Sequence, residues 1–249
     1  MRITTNSNFR FIVTDEIEPF RMPIVDHLRE LRYRILISFW VILLCSLITF
    51  IDVKSIVKFL ELPVTNVKFF QISPSDYFIS TVKISFYTGI LLTSPIVLYQ
   101  LTMFLIPGLT LSEILFTIPL LFGSFLLFLL GVSFAYYTLV PAALNFFLNY
   151  SEEIIEPFWS FDQYFEFILV LFYSAGLAFQ IPIIQIVLGF SEIVSPKQML
   201  KAWRYVILLS TILGAILTPS TDPLTQLLLS LAILLLYFLG LGILFLIRN

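Results

Sequence analysis

The chain has 249 residues, of which 59% are apolar and 12% charged, with a formal net charge of −2. Soluble domains carry about a quarter charged residues, so lipid has to be the solvent for most of this chain. The near-neutral balance gives no electrostatic footing for nucleic acid, and one Cys with one His excludes an intrachain disulfide, a paired-ligand haem and a His-rich metal site.

The tail, residues 1–22, mixes Arg2 and Arg10 with Asp15, Glu16 and Glu18. Cleavable transit peptides are basic and poor in acids, so the tail lacks that character and the first apolar span is expected to persist. Residues 23–249 are expected to form a single membrane domain. Pro23 suits a first helical turn, and Ile24, Leu28, Leu31 and Ile35 recur at helical spacing. That helix runs into the first span, Tyr33–Ile51. On it stands His27-Leu28-Arg29-Glu30-Leu31-Arg32, a carboxylate set among arginines where the chain enters the membrane. Glu30 and Arg34 lie four apart, as do Asp26 and Glu30. The pattern reads either as an interfacial anchor with weak surface ion pairs or as a polar recognition surface. Cys45 reads as a small buried hydrophobe.

Five further spans follow, at Ile79–Leu101, Leu115–Leu139, Tyr164–Leu188, Trp203–Leu217 and Leu224–Ile247. Long apolar runs must be helical because lipid offers the backbone no hydrogen bonds. Pro95, Pro119 and Pro182 predict kinks. The fifth span is short: fifteen residues reach about 22 Å against roughly 30 Å of hydrocarbon. The turn after it, Thr218 to Pro223, should therefore lie below the far surface, or the bilayer should thin to meet it. The two longer far-side loops, Asp52–Phe78 and Val140–Gln163, have room for small caps. The fold class expected is an all-α membrane protein of six transmembrane helices.

Charge orients the spans. Arg2, Arg10, Arg21, Arg29, Arg32 and Arg34 share one face with Lys197, Lys201, Arg204 and Arg248. The other face has Lys54, Lys58 and Lys68 and an acidic third loop with Glu152, Glu153, Glu156 and Asp162. Both termini are expected on the synthesis side.

Glu113 is the second carboxylate of that side, in a loop otherwise bare of charge. It reads as a helix-start acid or as a partner of Glu30 in a site for two guanidinium groups, whose bidentate geometry lysine cannot copy. Within the spans, Lys83 and Glu166 fall at similar depth and read as snorkelling residues or as an ion pair. Gln180, beside Pro182, reads as an interhelical hydrogen-bond partner. Thr218, Asp222 and Gln226 surround the submerged turn, with helix capping an equal reading for Asp222. No Gly-x-Ser-x-Gly, His-Glu-x-x-His or phosphate loop is present, so no enzyme chemistry is expected.

Four of these segments together resemble the TatC family, the multi-spanning subunit of the twin-arginine protein translocase. They are His27–Arg32, Ser94-Pro95-Ile96-Val97-Leu98-Tyr99-Gln100, Phe104 with Pro107-Gly108 and Glu113, and Thr218–Gln226. The resemblance runs from about Pro23 to Arg248. It implies a concave six-helix bundle with both termini on the cytoplasmic or stromal side. It implies binding of folded precursors through signal peptides with paired arginines, and export driven by the proton-motive force; from the residues themselves no cofactor or metal is expected. Glu30 and Glu113 match positions that contact those arginines, and Arg32 and Phe104 match neighbours in the same recognition region. Gln180 matches an intramembrane position that is Glu in many bacterial members. Thr218, Asp222 and Gln226 match the region where single-span TatA/TatB-type subunits dock to form an oligomeric complex.

Two departures stand out. Leu111, Ser112, Ile114 and Leu115 surround Glu113 where the family usually has basic residues, and Gln180 cannot ionise. Phe161–Phe167 and Leu177–Pro182 look most like the oxygenic-phototroph branch, which implies a plastid thylakoid membrane, with a bacterial plasma membrane second. The competing function is a small-solute secondary transporter using Lys83, Glu166 and Gln180.

Overall fold

The computed structural model describes residues 24–63, 68–105, 111–151, 158–191, 193–219 and 222–248. The tail, Pro107-Gly108, the acidic run of Glu152, Glu153 and Glu156, and Ser220-Thr221 lie outside them. In chain order the elements are α1 (Ile24–Ile51), α2 (Val53–Glu61), β1 (Lys68–Phe70), α3 (Asp76–Leu105), α4 (Leu111–Phe134), a π-helical turn (Ala135–Leu139) and α5 (Val140–Ser151). Then come β2 (Phe158–Ser160), α6 (Phe161–Ala178), α7 (Ile181–Phe190), α8 (Pro196–Lys201), α9 (Trp203–Leu217) and α10 (Pro223–Arg248). Among the described residues, five helical stretches are long and apolar enough to cross a membrane, and α9 is a shorter apolar helix of fifteen residues.

Cross-helix contacts fix the directions. Arg34 meets Gln100 and Thr49 meets the Ser85 carbonyl, so α1 and α3 are antiparallel. Ser80 meets Asp162 and Tyr173 meets the Tyr87 carbonyl, so α3 and α6 are parallel. On α10, Gly240 lies against Gln185 and Leu244 against Gly189, so α7 and α10 are parallel as well. The Ile24 end of α1 and the Arg248 end of α10 therefore lie at the same end of the bundle.

The main core is built around α6, whose Phe165, Ile168, Leu169, Leu171 and Ala175 are almost fully buried. It draws in Ile84 of α3, Leu139 and Val140 at the π-helical turn, and Leu229 and Ile233 of α10. Close approach of α4 to α6 depends on Gly131, where an added Cβ would stand 2.7 Å from the Ala175 carbonyl oxygen. Small residues at such crossings replace the hydrophobic drive that lipid cannot supply.

The structure departs from the sequence expectations in three places. The chain after Leu139 is not a loop: α5 continues to Ser151. Pro141 has no N–H for the carbonyl one turn back, and the helix widens into the π-helical turn before it and then resumes. The helix near Pro182, where a kink and not a break was expected, divides at Phe179-Gln180 into α6 and α7, while Pro95 and Pro119 lie inside continuous helices as expected of kinks without breaks. Third, the far-side loops are joined by a parallel pair, with Lys68 opposite Phe158 and Phe70 opposite Ser160. Strands of three residues are too short to show a period of two.

Candidate recognition site and intramembrane polar groups

The first helical turns of α1 carry the polar site. The Arg34 guanidinium holds Glu30 through two nitrogens, with Nε donating to Oε1 at 2.9 Å and Nη2 also bonded to it. Its Nη1 donates to Gln100 Oε1 on α3 at 3.1 Å. One arginine thus fixes the carboxylate and ties α1 to α3. Glu30 Oε2 is shielded from solvent and accepts no hydrogen bond from the described residues, with His27 Nδ1 4.0 Å away. The His27 ring stacks on Phe104 of α3, with centroids 4.2 Å apart.

The arginines set around Glu30 in the sequence have other roles. Arg29 pairs with Asp26 at 3.3 Å on the exposed surface, and Arg32 is exposed. The backbone of Glu113 lies in the first turn of α4, one short connection from the end of α3, and so at the same end of the bundle as Glu30. The Glu113 side chain lies outside the described residues. Gln100 was missed as a site residue, although an amide one turn from the end of an apolar span is a signal for interhelical bonding.

Lys83 of α3 stands 3.1 Å from Glu166 and 2.9 Å from Asp162, both on α6. Asp162 also accepts the Ser80 hydroxyl at 2.8 Å. Asp162 lies one turn before Glu166, so helical spacing places the two carboxylates on one face. The cluster clamps α3 to α6 near the end of the bundle opposite Glu30.

Gln180 is buried at the α6–α7 break and bonds Ser124 of α4 twice. It accepts the Ser124 hydroxyl at 2.6 Å and donates to the Ser124 carbonyl at 3.0 Å. Asp222 caps α10: its Oδ2 accepts the Thr225 N–H at 2.8 Å and its Oδ1 the Thr225 hydroxyl at 2.6 Å. An acceptor three residues before that N–H is N-cap geometry. Thr218 is buried and donates to the Gly214 carbonyl at 2.9 Å, while Gln226 is half-buried on α10. The Ser174 hydroxyl donates to the Leu217 carbonyl, fastening the end of α9 to α6.

These features define a multi-pass helical membrane protein with a polar site at one end of its bundle and satisfied polar ties inside it. The model of the Sec-independent protein translocase protein TatC matches residues 26–231. The chain is 63% identical to the tatC-like protein ycf43 of Trieres chinensis over 99% of this chain and 94% of that one. It is 54% identical to the Sec-independent protein translocase protein TatC of Synechocystis sp., over 92% and 89% of the two chains. The crystal structure of the twin arginine translocase receptor TatC superposes with a TM-score of 0.78 at 36% identity, over 90% of this chain and all of that one.

The chain belongs to the TatC family. It is a multi-pass subunit of a Sec-independent protein translocase, resident in a thylakoid or plasma membrane, with a transport role rather than a catalytic one. It works in a Tat complex with other subunits. Family membership sets aside the small-solute transporter reading.

Proposed function

We propose that the Glu30 end of the bundle receives signal peptides with paired arginines on folded precursors, Glu30 and Glu113 each taking one guanidinium. The observation that carries this reading is the division of labour at Glu30: Oε1 is held by Arg34, while Oε2 accepts no hydrogen bond from the described residues. An incoming guanidinium reaches Oε2 by displacing the His27 ring from Phe104. Arg32 and Phe104 border the same surface. Six spans, with α9 as the fifth, put both ends of the described chain on the stromal or cytoplasmic side, where precursors are made. Single-span TatA/TatB-type subunits dock beside α9 and α10 near Thr218, Asp222, Gln226 and Gln180, and the proton-motive force drives export.

The test is precursor binding to the assembled complex. A charge-assisted hydrogen bond contributes about 1.5–3 kcal/mol, so Glu30→Gln and Glu113→Gln should each weaken binding roughly 10- to 100-fold. Replacing both precursor arginines by lysine should cause a comparable loss in the wild type and a smaller one in the variants. Unchanged binding by folded Glu30→Gln would exclude the assignment.

A further inference from the structure

The two oxygens of Glu30 are not equally open. Arg34 Nε and Nη2 both donate to Oε1, and Arg34 Nη1 donates to Gln100 Oε1 on α3 at 3.1 Å. Residues of two helices therefore hold this guanidinium, and the Arg34 and Glu30 side chains are only 18% and 19% exposed. A cation arriving at Oε1 would have to break all three contacts and leave Arg34 charged in a partly covered place, a costly exchange. Oε2 has a different neighbour. The His27 ring lies beside it at 4.0 Å, half-exposed and resting on Phe104 by stacking, and it can swing aside into open space.

This asymmetry sets what Glu30 can tell apart. A guanidinium outcompetes an ammonium at a carboxylate when its planar fork lays two parallel hydrogen bonds on two oxygens. With Oε1 closed, an arriving group finds one oxygen. Arginine and lysine each place a charge-assisted bond there, and the fork has lost its advantage.

We infer that Arg34 is a specificity-determining residue: by closing Oε1 it makes Glu30 a one-oxygen subsite that takes lysine nearly as well as arginine, so that discrimination between the two rests elsewhere in the receptor. This depends on the reading of Glu30 as a contact for the paired arginines, and adds to it which cation that contact can demand. Gln100 acts through Arg34 as a positioning residue, since it holds the one guanidinium nitrogen that Glu30 does not.

The experiment measures precursor binding to the assembled complex with the wild-type chain, Glu30→Gln, Arg34→Met or Arg34→Lys. Precursors with glutamine at one or the other of the paired positions identify the position that Glu30 meets, because that replacement weakens binding to wild type and not to Glu30→Gln. Lysine at the same position should weaken binding to wild type by at most about 3-fold, each cation making one bond. In Arg34→Met both oxygens are open, and lysine there should bind roughly 10-fold or more worse than arginine, the effect of one further charge-assisted bond. Arg34→Lys returns an ammonium to Oε1 and should restore the tolerance. Each readout is a ratio of two precursors on one preparation, so a general loss of folded receptor cancels. A lysine penalty of roughly 10-fold or more in wild type, or an unchanged ratio in Arg34→Met, would overturn the inference and leave Glu30 as a contact. Binding indifferent to Glu30→Gln with every precursor would remove the Glu30 reading itself, and the inference with it. Where Arg34→Met does not assemble, the wild-type ratio decides alone.

Discussion

Gly89 of α3 lies directly against Ser46 of α1: a Cβ on Gly89 would stand 2.3 Å from the Ser46 hydroxyl oxygen and 2.8 Å from its Cα. The hydroxyl can rotate away but the Cα cannot, so a side chain at 89 has to push the whole of α1. Gly89→Ala should cost about 1–3 kcal/mol, the range for overpacking. It should also lower the melting temperature of the detergent-purified protein. A melting temperature equal to wild type would show that the two backbones separate freely.

Ser124 and Gln180 show the asymmetry of a buried hydrogen bond. Ser124→Ala leaves the Gln180 amide oxygen without its donor at 2.6 Å, and should cost about 1–3 kcal/mol. Ser124→Ala with Gln180→Leu removes both partners and should recover most of that loss. Thermal unfolding of the two variants beside Gln180→Leu closes the cycle. Equal destabilisation by Ser124→Ala and the double variant would contradict it.

Lys83 pairs with two carboxylates at a half-exposed position, where each ion pair contributes about 0.2–1 kcal/mol. Lys83→Met should destabilise the protein modestly by leaving Asp162 and Glu166 facing each other. Adding Asp162→Asn and Glu166→Gln should restore the melting temperature. High salt should narrow the gap between wild type and Lys83→Met.

Much of this structure was legible in the chain because lipid enforces simple rules. Spans had to be helical, and Trp203–Leu217 was placed with both ends correct because polar turns bound it closely. Glu30 and Arg34 were readable from their spacing of four. What stayed hidden depended on contacts between distant segments. Gln100 becomes a site residue only because α3 brings it beside Arg34. The strand pair of Lys68–Phe70 with Phe158–Ser160 has no local signature at three residues. The extension of α5 past Leu139 was obscured by Pro141, which alone reads as a stop. Ser124 was one of several small polar residues in apolar helices, and only the fold selects it.

Glu61 ends α2 next to Leu60, whose carbonyl accepts the Tyr164 hydroxyl at 2.9 Å. Burial pushes its carboxyl above the ordinary value of 4.5, and Lys58 one turn back offsets this in part. A raised folded pKa means that folding favours the protonated form. The stability it contributes is complete below the unfolded value and is lost as pH rises through the folded one. The melting temperature should therefore fall slightly as pH rises above the ordinary carboxyl value of 4.5 in wild type, and less in Glu61→Gln. Identical slopes in the two proteins would leave Glu61 no part in the pH response.

The helices are unequally embedded. In their most apolar stretches, 6% of α1 is covered by protein against 56% of the α6–α7 unit. Lipid rather than protein therefore covers most of α1, and transfer from bilayer to detergent ought to loosen α1 before the stretch from Phe165 to Ala175, with amide exchange in the two media as the measurement. The helix that carries Glu30 thus leans on its solvent, while the centre of the bundle holds itself together.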